Sequence, residues 1–170
     1  MNVAVTPNPD LSSLLAADPG AIIESVAREH GVTCRAVIEA LPAENRRIAP
    51  GSGFVDAMTE IATWGDVTVI VHTEDAIVEF IGSVPSGSIA QGYYNWMSRT
   101  GLHGHLRHER CAAIAFLERP FMKRHSASVA FINVDGGIML KIFVGRDEKR
   151  ELKQDQLERF RALAGKLGAV

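Results

Sequence analysis

The sequence predicts an α+β fold in which N-terminal helices come first, an antiparallel β-meander follows, and a C-terminal helix closes the chain. Apolar residues recur at helical spacing up to about residue 64 and again after residue 149. Between these segments, β-branched residues recur with a period of two, which is typical of strands. The dipeptide Asp135-Gly136, placed between two apolar runs, indicates a β-hairpin.

The length of 170 residues fits one domain, 1–170, which we divide into three parts. Residues 1–9 carry Pro, Asn and Thr without periodicity and are predicted to be a flexible tail. Residues 10–64 are predicted to form a helical part, and residues 65–170 the sheet and the C-terminal helix.

Composition limits the classes of function. Apolar residues make up 46% of the chain, which is enough for a core, and the net charge of −2 gives no argument for nucleic acid or an anionic membrane as a partner. We find no signal peptide and no apolar run long enough to span a bilayer. The two cysteines, Cys34 and Cys111, lie far apart in the sequence. We therefore expect a cytoplasmic protein with reduced thiols.

Cap residues delimit two helices near the N-terminus. Asp18-Pro19 has the pattern of an N-cap followed by a first-turn proline, and Gly31 is expected to end the helix that begins there. Thr33 is predicted to cap a second helix, which Pro42 ends. The pair has the spacing of a helix-turn-helix, but its second helix offers only one Arg and one Glu to a nucleic acid. We therefore expect a packing hairpin and no nucleic-acid partner.

The remaining elements follow from changes in period. Residues 43–52 contain Pro, Gly and charge and are predicted to be a linker, whereas residues 54–62 form one more helix. A last helix is predicted from about Lys149. The predicted strands are residues 66–72, 76–81, 102–107, 111–118, 129–134 and 138–144.

Histidines are the candidate metal ligands. The six are His30, His72, His103, His105, His108 and His125. His103 and His105 share one face of a predicted strand, but no Cys, Asp or Glu around them completes a zinc-site spacing. His72 ends an apolar strand on the face of Thr68 and Ile70. It is either a core histidine with a satisfied hydrogen bond or a ligand that faces a cavity.

Two other segments have the composition of a ligand site. Residues 92–97 contain three aromatic side chains, which either pack on the core or form the wall of a flat apolar ligand. Residues 118–124 combine three cations with two large apolar residues, which suits a molecule with an apolar body and anionic tails as well as an ordinary solvated turn. The sequence has no nucleophile elbow, P-loop or HExxH motif, which favours a binding protein over a hydrolase.

Several motifs, taken together, carry a resemblance that covers nearly the whole chain. They are Trp64-Gly65-Asp66-Val67-Thr68, Val71-His72-Thr73, Pro85-Ser86-Gly87, Gly92-Tyr93-Tyr94-Asn95, Leu102-His103-Gly104-His105-Leu106, Glu118-Arg119-Pro120-Phe121-Met122, Met139-Leu140-Lys141-Ile142-Phe143-Val144-Gly145-Arg146-Asp147 and Gln156-Leu157-Glu158-Arg159-Phe160. The helix pair that ends in Leu41-Pro42 fits as well. With these motifs the chain resembles the HutX/ChuX family of intracellular haem-utilisation proteins.

The resemblance implies a homodimer whose sheets form a split-barrel-like haem-binding fold. It implies a protein that carries or stores haem in the cytoplasm after uptake and transfers it to a downstream acceptor, such as a haem-degrading enzyme. The alternative is an enzyme that itself degrades haem in the same pocket. A haem carrier needs an axial ligand and a pocket that limits reaction at the iron.

The resemblance also implies a set of site residues. The histidines associated with haem correspond to His72 and His105, which are the expected iron ligands, whereas His103 is additional to the family pattern. Tyr93 and Tyr94 are the candidates for a tyrosine ligand, with which some members are associated, and Tyr94 is included in the expected site. The cations expected to meet the haem propionates at the rim are Arg119, Lys123 and Arg124.

Overall fold

The computed structural model describes residues 9–170, and its element order is that of an α+β protein. The helices are α1 (Pro9–Ala17), α2 (Ile23–His30), α3 (Cys34–Ala40), α4 (Phe54–Ile61) and α5 (Gln154–Lys166). The strands are β1 (Arg46–Pro50), β2 (Asp66–His72), β3 (Ile77–Ser83), β4 (Gly87–Ala90), β5 (Tyr93–Trp96), β6 (Gly104–Leu106), β7 (Cys111–Phe121), β8 (Arg124–Asn133) and β9 (Ile138–Phe143). The predicted fold class is confirmed. The predicted tail, residues 1–9, lies outside the described residues except for Pro9, where α1 begins.

The strands form two separate antiparallel sheets. The larger has six strands in the order β1-β7-β8-β9-β2-β3, and the smaller has the order β4-β5-β6. Only part of the large sheet is a simple meander, because β1 joins it beside β7 and the β2–β3 hairpin joins it beside β9. The sheet therefore keeps two edge strands, β1 and β3, and does not close into a barrel.

The predicted linker, residues 43–52, is wrong, because β1 lies within it. Ile48 of β1 pairs with Ala115 of β7 and Arg46 with Leu117, so the part of the chain predicted to be helical contributes an edge strand to the sheet. Edge strands are half-exposed, and the two arginines that begin β1 conceal the apolar alternation by which a strand is recognised in a sequence.

The helix limits are confirmed at some cap residues and corrected at another. Gly31 ends α2 in a left-handed conformation with φ 63°, and the Thr33 side chain caps α3 by accepting from the Ala36 amide, as predicted. Asp18 does not cap α2. Its carboxylate instead accepts from the Gly20 amide at 3.1 Å, a local turn that ends well before α2 starts at Ile23.

Two hydrophobic clusters lie on opposite faces of the large sheet. On one face, α4, α5 and the smaller sheet pack against the strands, with Phe54, Phe131 and Phe160 at the centre. On the other face, α1, α2 and α3 cover mainly the part formed by β7 and β8, with Ile48 of β1 and Ile138 of β9 at the margin. This cluster does not extend over β2, β3 and the end of β9, and the opening that is left there positions the site. Within residues 9–170, no helix is long and apolar enough to cross a membrane.

Candidate functional site

The open part of the large sheet carries a groove made of two adjoining cavities. Their volumes are about 210 and 410 Å³. Together they reach the size range of ligand pockets. They form one depression, because they share the side chains Ile70, Phe121, Met122, Ser126 and Phe143.

Strand alternation on β2 directs three side chains into this groove. Thr68, Ile70 and His72 line it, whereas Val67 and Val69, on either side of Thr68, are buried in the core on the opposite face. Within the sheet, Ile70 lies between Glu79 of β3 and Lys141 of β9. The predicted shared face of Thr68, Ile70 and His72 is therefore confirmed.

Most of the groove is apolar. The rings of Phe121 and Phe143 lie 5.6 Å apart where the two cavities join. Ile77 and Ile81 of the edge strand β3 are 58% and 76% exposed at its side. Such a surface favours a ligand with an extended apolar body.

Three charged or ionisable side chains from different elements meet at one end of the groove. The Glu24 carboxylate of α2 accepts a hydrogen bond from Lys141 Nζ to its Oε1 at 2.5 Å. Its second oxygen, Oε2, lies 3.5 Å from Nδ1 of His72. That distance brings the two groups within ion-pair range but is too long for a good hydrogen bond, and Oε2 accepts none in the described part of the chain. Glu24 is thus a nearly buried carboxylate with one satisfied oxygen and one directed at His72.

The ring orientation of His72 leaves one nitrogen for a ligand. Nδ1 faces Glu24, and Nε2 has no hydrogen-bond partner among residues 9–170. The side chain is 13% exposed and lines the smaller cavity. An imidazole with one nitrogen facing a carboxylate and the other one unpartnered is the usual arrangement of a metal-ligating histidine.

His105 lies in the smaller sheet, which packs on the opposite face of the large sheet from the groove. Its Nδ1 is 2.6 Å from Oδ1 of Asn95. The Asn95 amide nitrogen donates toward the carbonyl oxygens of Ser88, Ala90 and Tyr93, at 3.2, 3.1 and 3.0 Å. Because this network fixes Oδ1 as the acceptor, His105 must carry its proton on Nδ1 and present Nε2 as a lone pair. His105 is exposed and does not line either cavity of the groove.

The family follows from a comparison with known proteins. The family model described as haem utilisation ChuX/HutX matches residues 47–163, well over half of the chain. The chain belongs to this family.

Individual relatives agree with this assignment. The intracellular haem transport protein HutX of Vibrio cholerae is 37% identical over 154 residues, which are 90% of this chain and 80% of that protein. A crystal structure from Erwinia carotovora is similar with a TM-score of 0.89 and 45% identity, covering 92% of this chain and 98% of that one. The structure of the haem-binding protein ChuX gives a TM-score of 0.84 and 40% identity, covering 93% and 99%. The chain thus has the fold of ChuX/HutX proteins over nearly its whole length.

The three cations that the ChuX/HutX resemblance suggested are separated by the structure. Arg119 is 8% exposed, and its Nη1 donates to the carbonyl oxygens of Pro19 and Ala21 at 2.6 and 2.8 Å. Burial lowers the pKa of its guanidinium. Arg119 lines the smaller cavity but connects the sheet to the loop before α2, so its charge is already engaged.

Lys123 and Arg124 lie at the tip of the β7–β8 hairpin. Met122 and Lys123 form its turn with φ of 49° and 61°, and Arg124 lines the larger cavity. Neither cation has an ion pair or hydrogen-bond acceptor for its side chain among the described residues. Both are exposed and available to an anionic group.

Tyr94 lies in the core and not in the groove. It is 1% exposed, its ring packs edge-on against Phe54 at 5.6 Å, and its hydroxyl accepts from the Gly87 amide at 3.1 Å. Burial raises the pKa of this phenol, which disfavours a phenolate ligand. Tyr93 points the other way on the same strand, with its ring 6.1 Å from that of His105.

Sequence reasoning missed three residues of the groove. Glu24 resembled an ordinary acid in a first helical turn. Arg146 lies far along the sequence from the cationic residues 118–124, although it lines the larger cavity together with Arg124. Lys141 gave a usable signal, because a lone lysine in an apolar strand must find a partner if it is buried. Residues 9–170 contain no cluster of three or more His, Cys, Asp or Glu that could hold a bare metal ion.

Proposed function

We propose that this chain is a haem carrier that binds one haem in the groove and gives it up intact to a downstream acceptor. The observation that carries the proposal is the unpartnered Nε2 of His72 in an apolar groove of a ChuX/HutX fold. Haem iron takes imidazole as an axial ligand, and the porphyrin body requires apolar walls. His72 is the proposed ligand within the protomer.

The distribution of charge supports one orientation of haem. The acids Glu24 and Glu79 line the smaller cavity together with two cations, Arg119 and Lys141, which are already bound to carbonyl oxygens and to Glu24. The larger cavity is lined by Arg124 and Arg146 and by no acid among the described residues. Propionates are repelled by carboxylates and are bound by guanidinium groups. We therefore expect the propionates at the Arg124 end of the groove, with Lys123 nearby at the hairpin tip.

A homodimer completes the proposed site. The edge strand β3 exposes Ile77, Val78 and Ile81, which is unusual for an unpaired edge in a monomer. His105 lies outside the groove of its own protomer, so we propose that it reaches the iron in the groove of a second copy. A twofold dimer provides two such sites, one per chain.

The proposed place of action is the cytoplasm. The Vibrio cholerae relative is described as an intracellular haem transport protein, which supports this location. The proposed acceptor is a haem-degrading enzyme, because opening of the porphyrin ring releases the iron.

Titration of the purified chain with ferric haem tests this function. We expect a Soret band that saturates at one haem per chain at micromolar concentration. A titration indistinguishable from haem in buffer contradicts the proposal. Addition of a reductant then separates the carrier from the alternative: a carrier keeps the Soret band, whereas a haem-degrading enzyme loses it and forms iron and a tetrapyrrole product.

A further inference from the structure

The two proposed histidine ligands are held by different groups. Nδ1 of His72 faces the carboxylate of Glu24, which lies in the first turn of α2 and is 10% exposed. His105 is exposed, and its Nδ1 faces the neutral amide of Asn95, which is half-buried in the smaller sheet. A carboxylate that accepts from the far nitrogen of a metal-bound imidazole raises the basicity of that ligand, whereas a neutral amide has a weaker effect.

From this asymmetry we infer that Glu24 is a positioning residue that makes His72 the retained iron ligand, and that His105 is the ligand given up first when haem leaves. The inference rests on the proposed function. It goes further by assigning an order to the two ligands and a role to the nearly buried acid that faces His72.

The unsatisfied oxygen of Glu24 supports this role. A buried carboxylate oxygen without a hydrogen bond is costly, so a site that keeps one has a use for it. Lys141 holds Oε1 and keeps the carboxylate in place, with Oε2 3.5 Å from His72 Nδ1. A small shift of the ring on binding iron shortens that distance to a full hydrogen bond, as often happens when a ligand completes a site.

The same geometry favours one tautomer of His72 before haem arrives. A carboxylate oxygen only accepts, so the tautomer with its proton on Nδ1 is the one that suits Glu24 Oε2 at 3.5 Å, and it presents the lone pair of Nε2 to the groove. In Glu24→Gln the amide oxygen is taken by the ammonium of Lys141, which has no other acceptor in the described residues. The amide NH₂ then faces Nδ1, which must accept, and the proton moves to Nε2 where it blocks the iron.

Glu79→Gln is the matched control. Glu79 lines the same cavity from β3, but it is exposed and has no ion pair or hydrogen bond from its side chain in the part of the chain described. The substitution removes one negative charge from the same cavity, with the same change of side-chain shape. Any effect of overall charge on haem therefore appears in both variants, and an effect through His72 only in Glu24→Gln.

The first measurement uses the chain without haem. Imidazole ¹⁵N shifts report the tautomer of each histidine directly. We expect His72 as the Nδ1–H form in the wild type and in Glu79→Gln, and a shift toward the Nε2–H form in Glu24→Gln. An unchanged His72 tautomer in Glu24→Gln overturns the role of Glu24, whether or not the chain binds haem.

The second measurement is the rate at which bound ferric haem transfers to excess apomyoglobin. We expect His72→Ala to release haem at least about tenfold faster than His105→Ala, and Glu24→Gln to release it about tenfold faster than Glu79→Gln. Equal rates in either pair overturn the inference. A wild-type chain that binds no haem instead rejects the proposed function, and the ligand order falls with it.

Loss of the Glu24 charge leaves the buried ammonium of Lys141 without a counter-charge, which destabilises proteins. If Glu24→Gln does not fold, the double variant Glu24→Gln/Lys141→Met removes both charges and takes its place in the transfer assay. The inference requires accelerated release in that variant as well. Release at the wild-type rate from a folded double variant contradicts it.

Discussion

Asn95 holds His105 through a 2.6 Å contact between Oδ1 and the ring nitrogen Nδ1, and three backbone carbonyls hold Asn95 in turn. The position of the His105 ring depends on Asn95, but the position of Asn95 does not depend on His105. The Asn95 amide keeps its hydrogen bonds to the backbone carbonyls when the ring is removed. Asn95→Ala is therefore expected to lower the free energy of unfolding by about 1–2 kcal/mol, since it removes the side-chain hydrogen bonds to those carbonyls. His105→Ala is expected to cost less than half as much.

Chemical denaturation of both variants without haem measures the difference. Equal losses of stability in Asn95→Ala and His105→Ala would mean that the ring supports the loop, and the proposed ligand would then have a structural role instead.

Replacement of either proposed ligand is expected to change the absorbance of bound haem. His72→Ala and His105→Ala each remove an axial imidazole, which alters the spin state of the iron and shifts the Soret band. The double variant is expected to lose most of the affinity. His30→Ala and His125→Ala are the controls, because His30 ends α2 and His125 pairs with Glu118. If the double variant keeps the wild-type spectrum and affinity, the ligand assignment is wrong, and Tyr93 is the next residue to test.

Substitutions of Arg119 and Arg124 are expected to affect different properties: the first lowers stability and the second weakens haem binding. Arg124→Ala weakens haem binding by up to about 1 kcal/mol, and the effect falls as salt rises, because the side chain is exposed. Arg119→Ala lowers the free energy of unfolding by about 2 kcal/mol, because two carbonyls lose a buried charged donor. Haem titration and denaturation of both variants measure the contrast, with the exposed Arg99→Ala as a control for charge.

Low pH is expected to abolish the contribution of the Glu118–Arg161 ion pair to the free energy of unfolding. Hydrogen bonds from Arg161, and more weakly from His125, hold the pKa of Glu118 below its ordinary value of 4.5. A carboxyl group whose pKa is lowered by folding stabilises the protein fully above 4.5, and the effect disappears as the pH falls through the folded-state pKa.

Glu118→Gln is therefore expected to be less stable than the wild type by about 0.5–1 kcal/mol at neutral pH and equally stable near about pH 2. Denaturation curves at both pH values test the prediction. Glu109→Gln is the control, because Glu109 is exposed and has no ion pair within residues 9–170. A difference that persists unchanged in acid would point to packing instead of charge.

A charge on the edge strand β3 is expected to dissociate the proposed dimer. Val78 is 61% exposed on the face of β3 away from the groove, so Val78→Lys does not touch the lining of the haem site. We expect sedimentation at tens of micromolar to show a dimer for the wild type and a monomer for Val78→Lys. Val134→Lys, at an equally exposed valine in the β8–β9 loop, is expected to remain dimeric. A monomeric wild type contradicts the dimer.

Local pattern determined much of the fold and part of the site. Alternation along β2 is sufficient to place His72 on one face with Thr68 and Ile70, because the side-chain period of a strand is two wherever the strand lies. Gly31 and Thr33 mark the ends of helices, because caps depend on backbone conformation within a few residues. The ChuX/HutX motifs were likewise sufficient to predict the family from the sequence, and the match to the family model confirms that prediction.

Tertiary structure alone decided which charges meet. Lys141 is 117 residues from Glu24 in the sequence, and only the docking of α2 on the sheet brings their side chains together beside His72. Arg119 and Arg124 are close in sequence, but the first is buried under the helices and the second lies at an open hairpin tip. Alternation and caps act within a few residues, whereas burial and partners are determined by packing between distant elements, so the acid behind His72 could not be predicted from the sequence.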